Sequence, residues 1–219
     1  MKRREEVARA LEAIHREISP FESQLIVVTK TYPIEDVAIL QDLGESNFGE
    51  NRSSEGLSKS REIPATWHYQ GQIQSNKIRE ILSWADVIHS LDQESHLMKM
   101  HSLLQENESI GPSVFLQMSL DGDPSRGGTS LEDAYSLAEK IYSQNVLTLK
   151  GLMCVPPPEW EIERAFTEIA VRHHAWKERF PDAPYLSAGM SNDYMTALTF
   201  GATHIRIGSK ILGQRHYDR

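Results

Sequence analysis

The 219 residues carry a formal charge of −8, with 39% hydrophobic and 25% charged side chains. That balance belongs to a soluble globular chain burying roughly 70% of its unfolded surface; it argues against a general nucleic-acid binder, and the one cysteine, Cys154, excludes an internal disulfide framework. No apolar run approaches the ~20 residues that cross a bilayer, and no apolar segment follows the charged start Met1-Lys2-Arg3-Arg4-Glu5-Glu6, so a cytoplasmic protein of one domain, residues 1–219, is expected.

In chain order, Val7, Leu11, Ile14 and Ile18 recur at helical spacing, so a helix precedes the first strand. Eight β-rich runs follow, at 25–30, 47–50, 67–71, 87–91, 113–120, 148–155, 184–189 and 204–209. Helical stripes lie between them: Ile78, Ile81, Leu82 and Ala85; Leu131, Ala134, Ala138 and Ile141; and a longer one through Ile162, Ala165, Phe166, Ile169, His173 and Trp176. Gly44 and Gly201 stand where helix ends want a left-handed residue. Strands alternating with crossover helices require a parallel sheet. Eight such units close into a single (β/α)8 TIM barrel, here at the lean end of the usual ~250 residues. The N-terminal helix is expected over the barrel wall near strand eight. An open doubly wound sheet is the alternative, but no G-x-G-x-x-G turn follows the first strand.

Functional residues of a barrel gather at the C-terminal ends of its strands. Lys30 ends the run Leu25-Ile26-Val27-Val28-Thr29, where low-dielectric walls disfavour an ammonium and leave a nucleophilic amine able to form a Schiff base. A solvated strand-end lysine or a plain phosphate contact is the simpler reading of its position. The run Leu186-Ser187-Ala188-Gly189-Met190-Ser191 leaves strand seven through a glycine, with Ser191 as the expected N-cap of the next helix. Arg206-Ile207-Gly208-Ser209 leaves strand eight with a glycine that permits close backbone approach and a hydroxyl beside it. Loops after strands seven and eight form the usual phosphate site of this architecture. An amine on strand one and a phosphate cup on strands seven and eight together suit pyridoxal 5′-phosphate, with Arg206 on the right strand for its pyridine nitrogen. An arginine keeps its proton, so the ring nitrogen stays unprotonated and the ring is a poor electron sink.

The chain resembles the pyridoxal phosphate homeostasis proteins, a group with the alanine racemase N-terminal barrel fold. The stretches that carry the likeness are Val28-Thr29-Lys30-Thr31, Phe48-Gly49-Glu50-Asn51, Trp67-His68-Tyr69-Gln70-Gly71, Gln74-Ser75-Asn76-Lys77, Gly151-Leu152-Met153, 186–191 and 206–209, spread over nearly the whole chain. The resemblance implies that Lys30 holds pyridoxal 5′-phosphate as a Schiff base. It implies that Ser191, Gly208 and Ser209 take the phosphate with Ser187 close by, that Arg206 faces the pyridine nitrogen, and that Asn51 and Met153 line the pocket. It further implies a role in vitamin B6 homeostasis with no established turnover, and pyridoxal-phosphate-dependent apoenzymes as recipients. Arg126 departs from the pattern, standing where some members carry a second lysine; an arginine forms no Schiff base. Gln70 replaces a usual aliphatic residue, and Tyr32 a lysine or other polar one.

The alternative is an enzyme of racemase or decarboxylase type on the same cofactor. Related racemases complete their active site with a C-terminal β-domain, and ten residues after Ser209 leave no room for one here. Racemisation also wants a second acid or base, for which Tyr32, Tyr69 and His68 are the candidates, each read more simply as pocket wall or core. A barrel for another phosphorylated metabolite is the third reading. The expectation is therefore a cytoplasmic monomeric carrier, not an enzyme, with no nucleic-acid or membrane partner. No H-E-x-x-H spacing occurs among the nine histidines, so no metal is expected; His68, His89 and His204 read as hydrogen-bonded barrel residues. Cys154 reads as a small buried hydrophobe, Pro156-Pro157-Pro158 as a stiff loop at the barrel mouth, and Lys210, Arg215 and Arg219 as a modest basic tail.

Overall fold

The structure, a computed structural model, describes residues 2–213. Helix α1 (Lys2–Ile18) leads into β1 (Gln24–Val28), α2 (Ile34–Asp42), β2 (Asn47–Glu50), α3 (Ser53–Glu62) and β3 (Thr66–Tyr69). There follow α4 (Ile78–Leu82), β4 (Val87–Leu91), α5 (Glu94–Glu106), β5 (Ser113–Met118), α6 (Leu131–Gln144) and β6 (Thr148–Cys154). The chain closes with α7 (Ile162–Arg179), β7 (Tyr185–Met190), α8 (Tyr194–Thr199), β8 (His204–Ile207) and α9 (Ser209–Leu212). The eight strands form a closed barrel in sequence order, every neighbouring pair parallel. The seam between first and last strands pairs Gln24 with His204 and Ile26 with Arg206. The barrel expected from the sequence is the fold found.

Period-two alternation sorts the strand side chains. Leu25 and Val27 join the large apolar cluster under the helices, whereas Ile26 and Val28 are buried outside that cluster, on the barrel's inner side with Arg206. Helix α1 buries Val7, Leu11, Ile14 and Ile18 and packs on α9, α2 and α8, covering the β8–β1 seam as expected. Arg3 fastens it there, donating to both oxygens of Asp36 and to the Leu212 carbonyl. Gly44 and Gly201 adopt left-handed φ values of 98° and 89°. Each closes its helix through the paired return bonds that only such a residue allows, Glu45 N–H to Leu40 O and Ala202 N–H to Ala197 O.

Three local expectations are corrected. Strand β1 ends at Val28 and β8 at Ile207, so Lys30 and Ser209 lie just beyond the ladder rather than within it. Helix α4 is one turn long after a 3₁₀ turn at Ser75–Lys77; Ala85 therefore falls in the following loop, although it is still buried. Ile162, read as part of a buried stripe, is exposed at the start of α7.

Candidate functional site

The C-terminal end of the barrel opens into a cavity of about 620 Å³, within the range of small-molecule sites. Lys30 lines it, together with Asn51, Gln70, Met153, Ser191, Arg206, Gly208 and Ser209. Seven of the eight residues singled out from the sequence thus line one cavity. Ser187 does not line it. It is fully buried one layer down, its hydroxyl bonded to Arg206 Nη1 at 2.7 Å and to His89 Nδ1 at 2.8 Å.

The wall around Lys30 is tightly held. Thr29 N–H donates to Gly49 O across β1 and β2. Thr29 Oγ1 donates to Glu50 Oε1 at 2.6 Å, and Lys59 Nζ of α3 donates to both Glu50 Oε1 and Thr29 O, at 2.7 and 2.8 Å. Burial pushes the Glu50 carboxyl above the ordinary carboxylate range, and the Lys59 ammonium partly offsets this.

Across the β8–β1 seam from this wall the loops after β7 and β8 meet, with Ser209 Oγ 3.2 Å from Ser191 Oγ. Gly208 lets β8 close against β1: a Cβ there would stand 2.8 Å from the Val28 carbonyl oxygen. The sequence placed the N-cap of α8 at Ser191, and the structure places it at Asp193. The Asp193 carboxylate reaches back to the Met190 N–H, closing a turn that leaves Ser191 and Asn192 on the cavity wall.

Arg206 is buried, and its hydrogen-bond partners are the Ser187 hydroxyl and the Cys154 carbonyl. Burial pushes its guanidinium down to about 10, so it remains a cation at neutral pH. Below it, His89 Nε2 lies 2.9 Å from His68 Nδ1, and His68 Nε2 lies 3.1 Å from Asn47 Oδ1. Burial pushes His68 down to about 3 and His89 well below the usual range. Gln70 Nε2 is buried and has no hydrogen-bond partner among the described residues.

The outer rim is apolar: Val155, Pro156 to Pro158, Trp160, Ile162 and Met190. The proline loop shapes the mouth as its stiffness suggested. Arg164 stacks over the Trp160 ring at 4.5 Å, and Arg126 bridges Asp121 and the Pro156 carbonyl at 2.6 and 3.2 Å. Trp160 was not singled out in the sequence, Ile162 was read as helix core, and Asn192 and Asp193 only as the start of a helix; the aromatic shortly after the proline run was one available signal.

The candidate acid/base residues stand elsewhere. Tyr32 OH donates to Gly213 O at 2.6 Å, Tyr69 OH to Gln72 O at 2.9 Å, and His68 lies inside the barrel. Cys154 is buried and its thiol is pushed up to about 12 by desolvation, as a core residue. His204 bonds Thr203 Oγ1, so the three strand histidines are hydrogen-bonded as read. Lys210 lies over the Tyr194 ring at 4.7 Å, and Arg215 and Arg219 lie outside the described residues. Among the described residues no helix is long and apolar enough to cross a membrane, and no group of three His, Cys, Asp or Glu side chains is placed to hold a metal ion.

The family profile described as "Alanine racemase, N-terminal domain" matches residues 3–216. A pyridoxal phosphate homeostasis protein of Corynebacterium glutamicum is 40% identical over 199 residues, covering 88% of this chain and 90% of that protein. The solved structure of PipY from Synechococcus elongatus PCC7942 with PLP bound is similar at a TM-score of 0.85 and 28% identity, over 94% of this chain and 100% of that one. Alanine racemase of Clostridium difficile 630 shares the fold at a TM-score of 0.80 and 13% identity, over 98% of this chain and 58% of that one.

Proposed function

Because the chain belongs to the pyridoxal phosphate homeostasis protein family, with the fold of the alanine racemase N-terminal domain, we propose that it binds pyridoxal 5′-phosphate at the barrel mouth and serves intracellular vitamin B6 homeostasis without catalytic turnover. One observation carries this reading: a primary amine, a pair of hydroxyls on the loops after β7 and β8, and a buried cation all face one cavity. When bound, pyridoxal 5′-phosphate supplies an aldehyde that condenses with a primary amine.

The residues present fit that group. Lys30 is the amine that holds the aldehyde as a Schiff base. Ser191 and Ser209 offer hydroxyl donors to the phosphate, and Gly208 keeps the space beside Val28 in which a Cβ would not fit. Arg206 presents its guanidinium to the pyridine nitrogen. It holds its own proton, so that nitrogen receives a hydrogen bond and no charge. Asn51 and Met153 line the ring. Ser187 acts on the cofactor through Arg206.

The carrier reading rather than racemisation is supported by the lining. Racemisation needs a second proton donor or acceptor across the cavity; no tyrosine, histidine or cysteine is among the described residues that line it, and the Asp193 carboxylate on the lining is engaged by the Met190 N–H. In this reading the protein works as a cytoplasmic monomer of one domain, residues 1–219, and hands the cofactor to pyridoxal-phosphate-dependent apoenzymes.

Borohydride reduction of cofactor-saturated protein followed by peptide mapping tests the reading. The pyridoxyl mass is expected on Lys30 and on no peptide of the Lys30→Ala variant. An unmodified Lys30 in saturated wild-type protein sinks it. D-isomers, amines or keto acids appearing from L-amino acids at ordinary rates of ~1–10³ per second would replace the carrier with an enzyme.

A further inference from the structure

The backbone on both sides of Lys30 is held by carboxylate and ammonium groups that do not line the cavity. On the N-terminal side, Thr29 is bound twice: its carbonyl accepts from Lys59 Nζ at 2.8 Å and its hydroxyl donates to Glu50 Oε1 at 2.6 Å. On the C-terminal side, Thr31 N–H donates to Glu55 Oε2 at 2.8 Å. Thr31 has a φ of 68°, a left-handed conformation that a β-branched residue adopts only when its surroundings impose it. Glu55 and Lys59 sit one turn apart on α3 with Glu55 Oε2 3.8 Å from Lys59 Nζ, and Lys59 is 2.7 Å from Glu50 Oε1. One helix face therefore grips the residues before and after Lys30 at once, and the left-handed turn at Thr31 sets the direction in which the chain leaves the strand.

We infer that Glu55 and Lys59 of α3, with Glu50 of β2, are positioning residues that aim the Lys30 amine at the aldehyde carbon of the bound cofactor. The inference rests on the pyridoxal-phosphate reading above. Condensation forms one C=N bond and breaks the C=O bond; the amine nitrogen attacks the carbonyl carbon, gives up two protons in all to the departing oxygen, and one water leaves. The nitrogen must approach the carbonyl from one side at close range, so a small turn of the Lys30 backbone changes the yield of the linkage more than it changes non-covalent binding. Glu55 is the member best suited to a test, because its side chain is 23% exposed, against 9% for Lys59 and 0% for Glu50. A carboxylate-to-amide change keeps its acceptor oxygen, whereas truncation removes it.

Glu55→Ala, Glu55→Gln and wild-type protein are titrated with pyridoxal 5′-phosphate, following the visible imine absorbance and borohydride trapping, and with pyridoxine 5′-phosphate, which has an alcohol in place of the aldehyde. Thermal unfolding runs in parallel. Glu55→Ala is expected to bind the aldehyde about tenfold more weakly, with unchanged affinity for the alcohol, and Glu55→Gln to recover most of the loss. Equal loss for both ligands shows a collapse of the pocket and overturns the inference, as does an unchanged aldehyde affinity. A wild-type protein that forms no trappable linkage overturns instead the functional reading, and the inference falls with it.

Discussion

Arg206 Nη1 donates to Ser187 Oγ over 2.7 Å inside the barrel, and that bond caps a file of hydrogen bonds whose direction is set at its far end. Asn47 Oδ1 is an amide oxygen and only accepts. Neutral His68 therefore donates to it from Nε2 and accepts at Nδ1 from His89 Nε2. His89 Nδ1 then accepts from the Ser187 hydroxyl, whose oxygen accepts from Arg206. Both imidazoles are neutral in this chain, each with its proton assigned to Nε2 by the network. A buried cation on the cavity wall is thus supported by a file of neutral dipoles and, among the described residues, no counter-charge within hydrogen-bond reach.

Neutral, buried histidines make the fold sensitive to acid. Burial pushes His68 down to about 3 and His173 and His204 to about 4. In the unfolded chain each takes up a proton near pH ~6.5. The unfolded state therefore binds more protons through the window between ~6.5 and the folded values. Stability is fully present above that window and is lost as pH falls through it, by about 1.4 kcal/mol per pH unit for each such histidine. Urea unfolding at about pH 7, 6 and 5 is expected to show midpoints that drop at each step. Equal midpoints at the two ends of that series would contradict the neutral chain.

The Glu50–Lys59 pair is buried, with side-chain exposures of 0% and 9%. Lys59→Met strands the Glu50 carboxylate in the interior and is expected to destabilise the protein by about 3–5 kcal/mol. Adding Glu50→Gln removes the stranded charge and is expected to recover at least about 1 kcal/mol of that loss. Denaturant unfolding of the wild type, both single variants and the double variant measures the coupling. Strictly additive losses would mean that the two groups do not stabilise each other.

The two sides of the phosphate cup separate by ligand choice. Ser209→Ala is expected to weaken pyridoxal 5′-phosphate binding about five- to tenfold, the weight of one hydrogen bond, while leaving the affinity for pyridoxal unchanged. Gly208→Ala is expected to be more severe for the phosphorylated ligand and to cost about 1–3 kcal/mol of stability, because the added Cβ meets the Val28 carbonyl, a backbone atom that cannot step aside. Spectroscopic titration with both ligands checks each variant; an equal effect of Ser209→Ala on the two would remove that hydroxyl from the phosphate.

The amino-acid order alone determined the barrel and most of the cavity wall. β-branched runs such as Leu25-Ile26-Val27-Val28 read as strands buried on both faces, and their alternation with helical stripes requires a parallel sheet, which eight units close into a barrel. Strand ends then nominate Lys30, Ser191 and the run 206–209, and the family resemblance adds Asn51 and Met153 as pocket lining. What the order could not decide is depth and partnership. Ser187 looks close to Ser191 in sequence, but three strand residues at about 3.3 Å each put Met190 roughly 10 Å nearer the mouth, so Ser187 supports Arg206 from below. The Glu55–Lys59 spacing is visible on paper as an ordinary helical pair. That its charges close on the backbone around Lys30 depends on how α3 packs across the end of β1. Local spacing fixes which face a side chain occupies, and only packing fixes what that face meets.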